Sequence, residues 1–247
     1  MKIYIGEIAG KDSVAAIHKF LSENNGIMVI PTIVKTGTEY GDFDSYYRSI
    51  EYLKEFACVN NNKLESTVVL NEEKLWNMIC VKYQYYIYKK FEFYTPCISC
   101  HLFAHLIRVP VVLEHKANGI ISGERYSHNG LIKANQHRLT LKHFIKLFER
   151  YDIELIQPLM HISDTKRIEK EIADYPNIDT VNDVKCVLSG NLDGRLFNDN
   201  DMVLRLEQFL KEYVIVIGDY VLSQYIQSKP VEYNVLQSLI ERTLLGG

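Results

Sequence analysis

An apolar run, Ile3-Tyr4-Ile5, leads into a polar turn, Ile8-Ala9-Gly10-Lys11-Asp12-Ser13, and then into a helical run, Val14-Ala15-Ala16-Ile17. A second apolar, β-branched run follows at 27–34. Two strands joined through a helix form a β-α-β unit, and such a crossover puts the strands parallel in one sheet. The alternation continues, with strands expected at 2–8, 27–34, 67–70, 119–122 and 153–157. Helices are expected at 13–24, 43–56, 72–91, 102–116 and 135–151, and another opens at Ser163-Asp164-Thr165. Pro110 should bend the fourth. The expected fold is α/β, a mostly parallel sheet with helices on both faces, over residues 1–175. Residues 176–247 read differently: 179–201 is rich in loop residues, and helices are expected at 202–225 and 231–245. This gives a small helical C-terminal region that carries Cys186.

A glycine-containing turn between strand and helix brings unpaired N–H groups to a helix N-terminus, where the dipole is positive. That arrangement suits phosphate. Gly10 lets a ligand approach the backbone, Lys11 adds a charge, and Ser13 adds a hydroxyl near the cap. Asp12 could hold Mg²⁺ or fix the turn. The first glycine of a Walker A loop is missing at the required spacing. In open α/β sheets ligands gather beyond the carboxyl ends of the strands. Four segments lie there: 8–13, 35–42, 95–101 and 122–130.

Hydrophobic residues make up 47% of the 247 and charged residues 24%, ordinary proportions for a globular chain. The net charge of −3 does not advertise nucleic-acid binding. No apolar run reads as a membrane span, and the N-terminus lacks the features of a signal peptide. The expected location is the cytoplasm, where cysteines stay reduced. There are five: Cys58, Cys80, Cys97, Cys100 and Cys186. Cys58 and Cys80 sit in apolar helical surroundings and are expected to be buried structural thiols. Cys97-Ile-Ser-Cys100 follows Pro96 and precedes a helix; its spacing fits two ligands of one metal or a redox dithiol. With His101 and His105 nearby, a Cys₂His or Cys₂His₂ zinc site is one option. Cys186 is the third candidate ligand.

The turn at 8–13 resembles the PP-loop, S-G-G-x-D-S, of the ATP pyrophosphatase superfamily. It matches over Gly10-Lys11-Asp12-Ser13 and departs at Ile8-Ala9. A PP-loop followed by C-x-x-C and one distant cysteine resembles the iron–sulfur tRNA thiolation enzymes, over roughly residues 1–190. The resemblance implies a [4Fe-4S] cluster on Cys97, Cys100 and Cys186. It implies ATP and Mg²⁺ at Ala9, Gly10, Lys11, Asp12 and Ser13, with Asp12 and Ser13 acting in ATP turnover. It further implies adenylation of a carbonyl oxygen, a sulfur donor, and an acceptor that is a tRNA base or a small molecule. The family's G-H-x-x-D-D-type loop reads here Ser122-Gly123-Glu124-Arg125-Tyr126-Ser127-His128-Asn129, so Gly123, Glu124 and Arg125 become the nucleotide-contacting positions. Zinc-ribbon cysteines are missing at the N-terminus. By analogy of fold, Ile33 and Val34 offer backbone groups to adenine.

Arg138, Lys142, Lys146 and Arg150 fall on one helical stripe, read first as a solvated face and second as a track for a tRNA backbone. Two other functions are compatible with the motifs. One is amide or nitrile formation or sulfonucleotide reduction, with zinc or redox cysteines; the other is a nucleotide-binding sensor without turnover. The oligomeric state, a homodimer included, stays open.

Overall fold

The computed structural model describes residues 1–173, 184–188 and 199–246. Most of the loop-rich stretch expected at 179–201, and the boundary expected between 175 and 176, lie outside the described residues. In chain order the elements are β1 (Lys2–Glu7), α1 (Lys11–Glu23), β2 (Ile27–Lys35), β3 (Glu39–Gly41), α2 (Asp44–Val59), β4 (Lys63–Leu64) and β5 (Val68–Asn71). Next come α3 (Glu73–Cys80), α4 (Gln84–Phe91), α5 (Pro96–Leu106), α6 (Val109–Glu114) and β6 (Gly119–Ile121). A 3₁₀ turn (Ala134–Gln136) precedes α7 (Arg138–Glu149), followed by β7 (Glu154–Ile156), α8 (Thr165–Glu171) and β8 (Val184–Cys186). Three helices end the chain: α9 (Asn200–Phe209), α10 (Ile215–Ile226) and α11 (Tyr233–Leu245).

The main sheet has the order β4-β2-β1-β6-β7, with β5 also paired to β2. Every pairing within it is parallel. The chain leaves β1 toward β2 and returns to β6 on the other side of β1. The order therefore reverses between β1 and β6, and a crevice opens at their carboxyl ends. This is the α/β architecture that the alternation predicts.

Strand residues alternate between the two faces. Tyr4, Val29, Ile33 and Ile121 pack against Val14, Ile17 and Leu21 of α1, Leu53 of α2 and Ile168 of α8. Ile5, Ile30, Ile120 and Leu155 face the larger cluster, which includes Leu102 and Phe103 of α5 and Phe144 and Leu147 of α7. The C-terminal helices join this second core through Phe209, Val221, Leu222, Leu236 and Ile240. Gly218 of α10 lies so close to α7 that a Cβ there would sit 2.6 Å from the Leu147 side chain.

Several elements differ from expectation. The helix expected over 72–91 is broken, because Val81 leaves helical geometry (φ −131°, ψ −50°) and Lys82 N–H closes back on Asn77 O at 2.9 Å. The helix expected from 102 starts earlier, at Pro96. Proline suits a first helical position, and Thr95 caps the turn by accepting from Cys97 N–H at 3.3 Å. Pro96–Glu114 is also long and apolar enough to cross a membrane by composition, contrary to the reading that no run is, yet most of it is buried in the core. The ribbon of β3 with β8, antiparallel with Glu39 opposite Cys186, was not anticipated.

Candidate functional site

The crevice begins at the turn after β1. Gly10 is extended (φ 162°), and a Cβ added there would meet open space. The Ser13 hydroxyl is buried under the turn. It accepts from the N–H groups of Ala9 at 2.9 Å and Gly10 at 3.0 Å and donates to Gly10 O at 2.7 Å. The serine thus staples the loop from within and takes two of the donors that the sequence offered to phosphate. Ser13 and Val14 N–H both turn to Gly10 O, at 3.1 Å each. Among the described residues no partner reaches the N–H of Lys11 or Asp12. These two amides are the open donors at the helix N-terminus. Ile8, at the motif's first departure, is buried in the core, and Ala9 is exposed at the turn.

The loop after β6 forms the opposite wall. Gly123 lies against the first turn of α1; a Cβ there would sit 2.4 Å from Ser13 N, so only glycine fits. The Arg125 guanidinium is buried and fully engaged. Its Nε donates to Asp12 Oδ2 at 3.0 Å, and its terminal nitrogens donate to Ser163 O at 3.2 Å and Thr165 Oγ1 at 3.3 Å. Arg125 therefore fixes Asp12 and ties the α1 turn to the segment before α8. Lys11 Nζ pairs with Glu169 of α8 at 2.7 Å. These contacts enclose a cavity of about 420 Å³, lined by Glu7, Gly10, Lys11, Asp12, Glu124 and Lys133 among others.

Glu124 is 2% exposed, and its Oε1 meets His101 Nδ1. Burial alone would raise its pKa, but the charge and hydrogen bond of His101 outweigh burial and hold the carboxyl near 2. His101 is pushed the other way: burial disfavours its charged form, and Glu124 more than compensates, raising it. Glu124 Oε2 has no partner among the described residues. A run of polar contacts links the two walls. His128 Nδ1 lies 3.6 Å from Asp12 Oδ2, His128 Nε2 meets Gln136 Oε1, and Gln136 lines the cavity together with Glu124.

A second cavity, of about 270 Å³, shares Glu7, Ala9 and His101 with the first and extends to Val34, Thr36, Cys100, Arg108 and Cys186. Ile8 N–H bonds Thr32 O at 2.9 Å, so the polar groups of Thr32 and, two residues on, Val34 face β1. β1 ends at Glu7. The ladder stops one step short of Val34, whose N–H and C=O border this cavity. Ile33 points its backbone groups toward β5 instead, which removes it from the adenine reading.

Two of the three candidate ligand cysteines, Cys100 and Cys186, line the far side of this cavity. Cys97 and Cys100 occupy the first turns of α5, and Cys186 ends β8. Leu188 touches two of them: its O accepts from Cys97 Sγ at 3.5 Å, and its N–H donates to Cys186 Sγ at 3.4 Å. Cys100 accepts from Trp76 Nε1 at 3.3 Å. Its thiol is drawn down to about 7, first by the hydrogen bond of Cys80, against burial, and then by His101 and Trp76. Burial pushes Cys97 up. Cys80 is buried as expected, but it adjoins Cys100 and is not isolated; Cys58 is exposed, against expectation.

Among the described residues no three His, Cys, Asp or Glu side chains converge as ligands of one metal ion. The zinc option with His101 and His105 is not formed. His101 is bound to Glu124, and His105 is fully buried, edge-on to Phe144 and Phe148. The three thiols come from two elements, Cys97 and Cys100 from α5 and Cys186 from the end of β8; an all-thiol set is the kind that iron–sulfur groups take. His101 and His105 of α5 and Arg108, just beyond its end, instead form one stripe set against strand-end residues. Arg108 donates to Thr32 Oγ1 at 2.8 Å and to Ala104 O at 2.6 Å and lies 3.8 Å from Glu7.

Sequence reasoning missed Glu7, His128 and Lys133 in the first cavity, whereas Gln136 was one of three residues, with Asn135 and His137, expected near a ligand at the start of the helix. The i, i+4, i+7 spacing of His101, His105 and Arg108 was the available signal for the buried polar stripe. Arg138, Lys142, Lys146 and Arg150 are all exposed on α7, as a solvated face requires.

No family model matches the chain. Among solved structures it is similar to the U34-tRNA thiolase NcsA from Methanococcus maripaludis with its [4Fe-4S] cluster, at 17% identity and a TM-score of 0.45, over 94% of this chain and 74% of that one. A relative in Methanocaldococcus jannaschii, the uncharacterized protein MJ0009, is 33% identical over 245 residues, which span 97% of this chain and 86% of that protein. The chain belongs to the family of MJ0009.

Proposed function

We propose that the protein is an ATP-dependent sulfur-transfer enzyme of the PP-loop kind. One observation carries the reading: the cavity at the Gly10–Ser13 turn and the cavity at Cys100 and Cys186 share a wall made by Glu7, Ala9 and His101. A phosphate-binding turn and a group of thiols are thus open to one bound molecule.

In this reading the Lys11 and Asp12 amides hold a nucleotide phosphate at the positive end of α1. The Val34 N–H and C=O receive the adenine edge in the neighbouring cavity. The Ser13 staple and the Arg125 pairing keep the turn in shape before the nucleotide arrives, so binding spends little on ordering it. An acceptor carbonyl oxygen attacks the α-phosphorus and becomes a leaving group as its adenylate. His101, oriented by Glu124, lies between this oxygen and the thiols and keeps the wall polar. Cys97, Cys100 and Cys186 would hold a [4Fe-4S] cluster. Bound there, such a cluster supplies one iron not ligated by cysteine, a thiophilic position for sulfur. The acceptor is a tRNA base or a small molecule with a comparable carbonyl.

Oxygen-free purification tests this. The expected protein is brown, carries about four irons per chain, absorbs near roughly 400 nm, and releases pyrophosphate from ATP when an acceptor is present. Stoichiometric zinc in place of iron, or a colourless protein that binds ATP without releasing pyrophosphate, would overturn it.

A further inference from the structure

The charges around the first cavity are nearly all spoken for. Asp12 is paired with Arg125 at 3.0 Å, Glu124 with His101, Glu7 with Arg108 at 3.8 Å, and Lys11 with Glu169 at 2.7 Å. Each acid that lines the cavity has its own base. Lys133 lines it too, half-buried beside Gln136, and no ion pair or side-chain hydrogen bond reaches its ammonium among the described residues. One uncompensated positive charge therefore faces a polar cavity large enough for a ligand. The position responds to that charge: His128 is held below its usual range first by burial and next by Lys133. The turn itself offers only two open amides, enough for one phosphate group and short of a polyphosphate chain.

We propose that Lys133 grips the terminal phosphates of the bound nucleotide, holds the departing pyrophosphate, and so sets a preference for a triphosphate over a monophosphate. The proposal rests on the nucleotide reading above and adds a residue that the PP-loop pattern does not contain. In the step it serves, the acceptor oxygen forms a bond to the α-phosphorus. The bond from that phosphorus to the bridging oxygen breaks, and pyrophosphate leaves with the electron pair. An amide-type acceptor gives up its N–H proton to solvent. Lys133 stays protonated throughout and acts as a point charge on the leaving oxygens.

The test titrates the full-length protein with Mg²⁺-ATP and with AMP, for the wild type, Lys133→Met and Lys133→Arg. Losing a charge-assisted contact costs about tenfold or more in affinity. Lys133→Met should weaken ATP by that factor, leave AMP within about twofold, and leave the melting temperature unchanged; Lys133→Arg should recover most of the ATP affinity. Equal losses for ATP and AMP, or ATP binding by Lys133→Met within about twofold of wild type, would overturn the assignment of Lys133. A wild-type protein that binds neither nucleotide would instead overturn the nucleotide reading itself.

Discussion

The buried Glu124 carboxylate is paired with the partly exposed imidazole of His101, which stands in the wall between two cavities. Burial of Glu124 costs desolvation, which is offset only while both groups are charged. Glu124→Gln should therefore destabilise the protein by about 2 kcal/mol at neutral pH. Urea unfolding measures this, and a loss under 1 kcal/mol would mean that the pair is solvated.

The same carboxylate sets an acid limit. Its folded-state pKa, about 2, lies below the usual 4.5. The stability it contributes is fully present above about pH 4.5 and drains away as pH falls toward 2. Wild type should lose stability across that window more steeply than Glu124→Gln. Parallel curves of unfolding free energy against pH would remove Glu124 as the cause.

Gly10 and Gly123 should behave oppositely when each is changed to alanine. The added methyl at 123 has no room beside Ser13 N, so Gly123→Ala should cost about 1–3 kcal/mol in folding. At 10 the methyl meets open space, so the melting temperature should hold while ATP binding drops about tenfold or more. Unaltered ATP affinity in Gly10→Ala would place the phosphates elsewhere.

Ser13→Ala removes the acceptor for two loop amides. The expected cost is about 1–2 kcal/mol, the range for a lost cap, together with slower ATP turnover. Iron content should stay at the wild-type level, because the staple and the thiols are on different elements.

Among the cysteines, alanine at 97, 100 or 186 should each abolish most bound iron. Alanine at 58 should change nothing, since that thiol is exposed on α2. Iron analysis of proteins purified without oxygen separates these outcomes, and full iron in Cys186→Ala would break the three-ligand set.

Much of the architecture was legible because its signals are local. The β-branched runs at 27–34 and 119–122 and the turn at 8–13 each state their conformation within a few residues. The hidden parts depend on partners distant in sequence. Three-residue strands such as β3 and β8 have no periodicity of their own and exist only as a pair. Cys80 reads as an ordinary core thiol until α3 packs on α5. Arg125 reads as a phosphate ligand until Ser163 and Thr165 claim its guanidinium. Likewise His101 and His105 looked like possible zinc ligands, because the facing Glu7 and Glu124 lie on other elements.

The β3–β8 ribbon has a consequence for biosynthesis. Glu39 leaves the ribosome early, and its partner Cys186 emerges only after the whole parallel sheet has been made. A nascent chain can thus assemble its phosphate turn long before the third sulfur arrives. Under the proposed cluster assignment, the Cys97–Cys100 pair waits for its third thiolate until β8 has been synthesised and paired with β3.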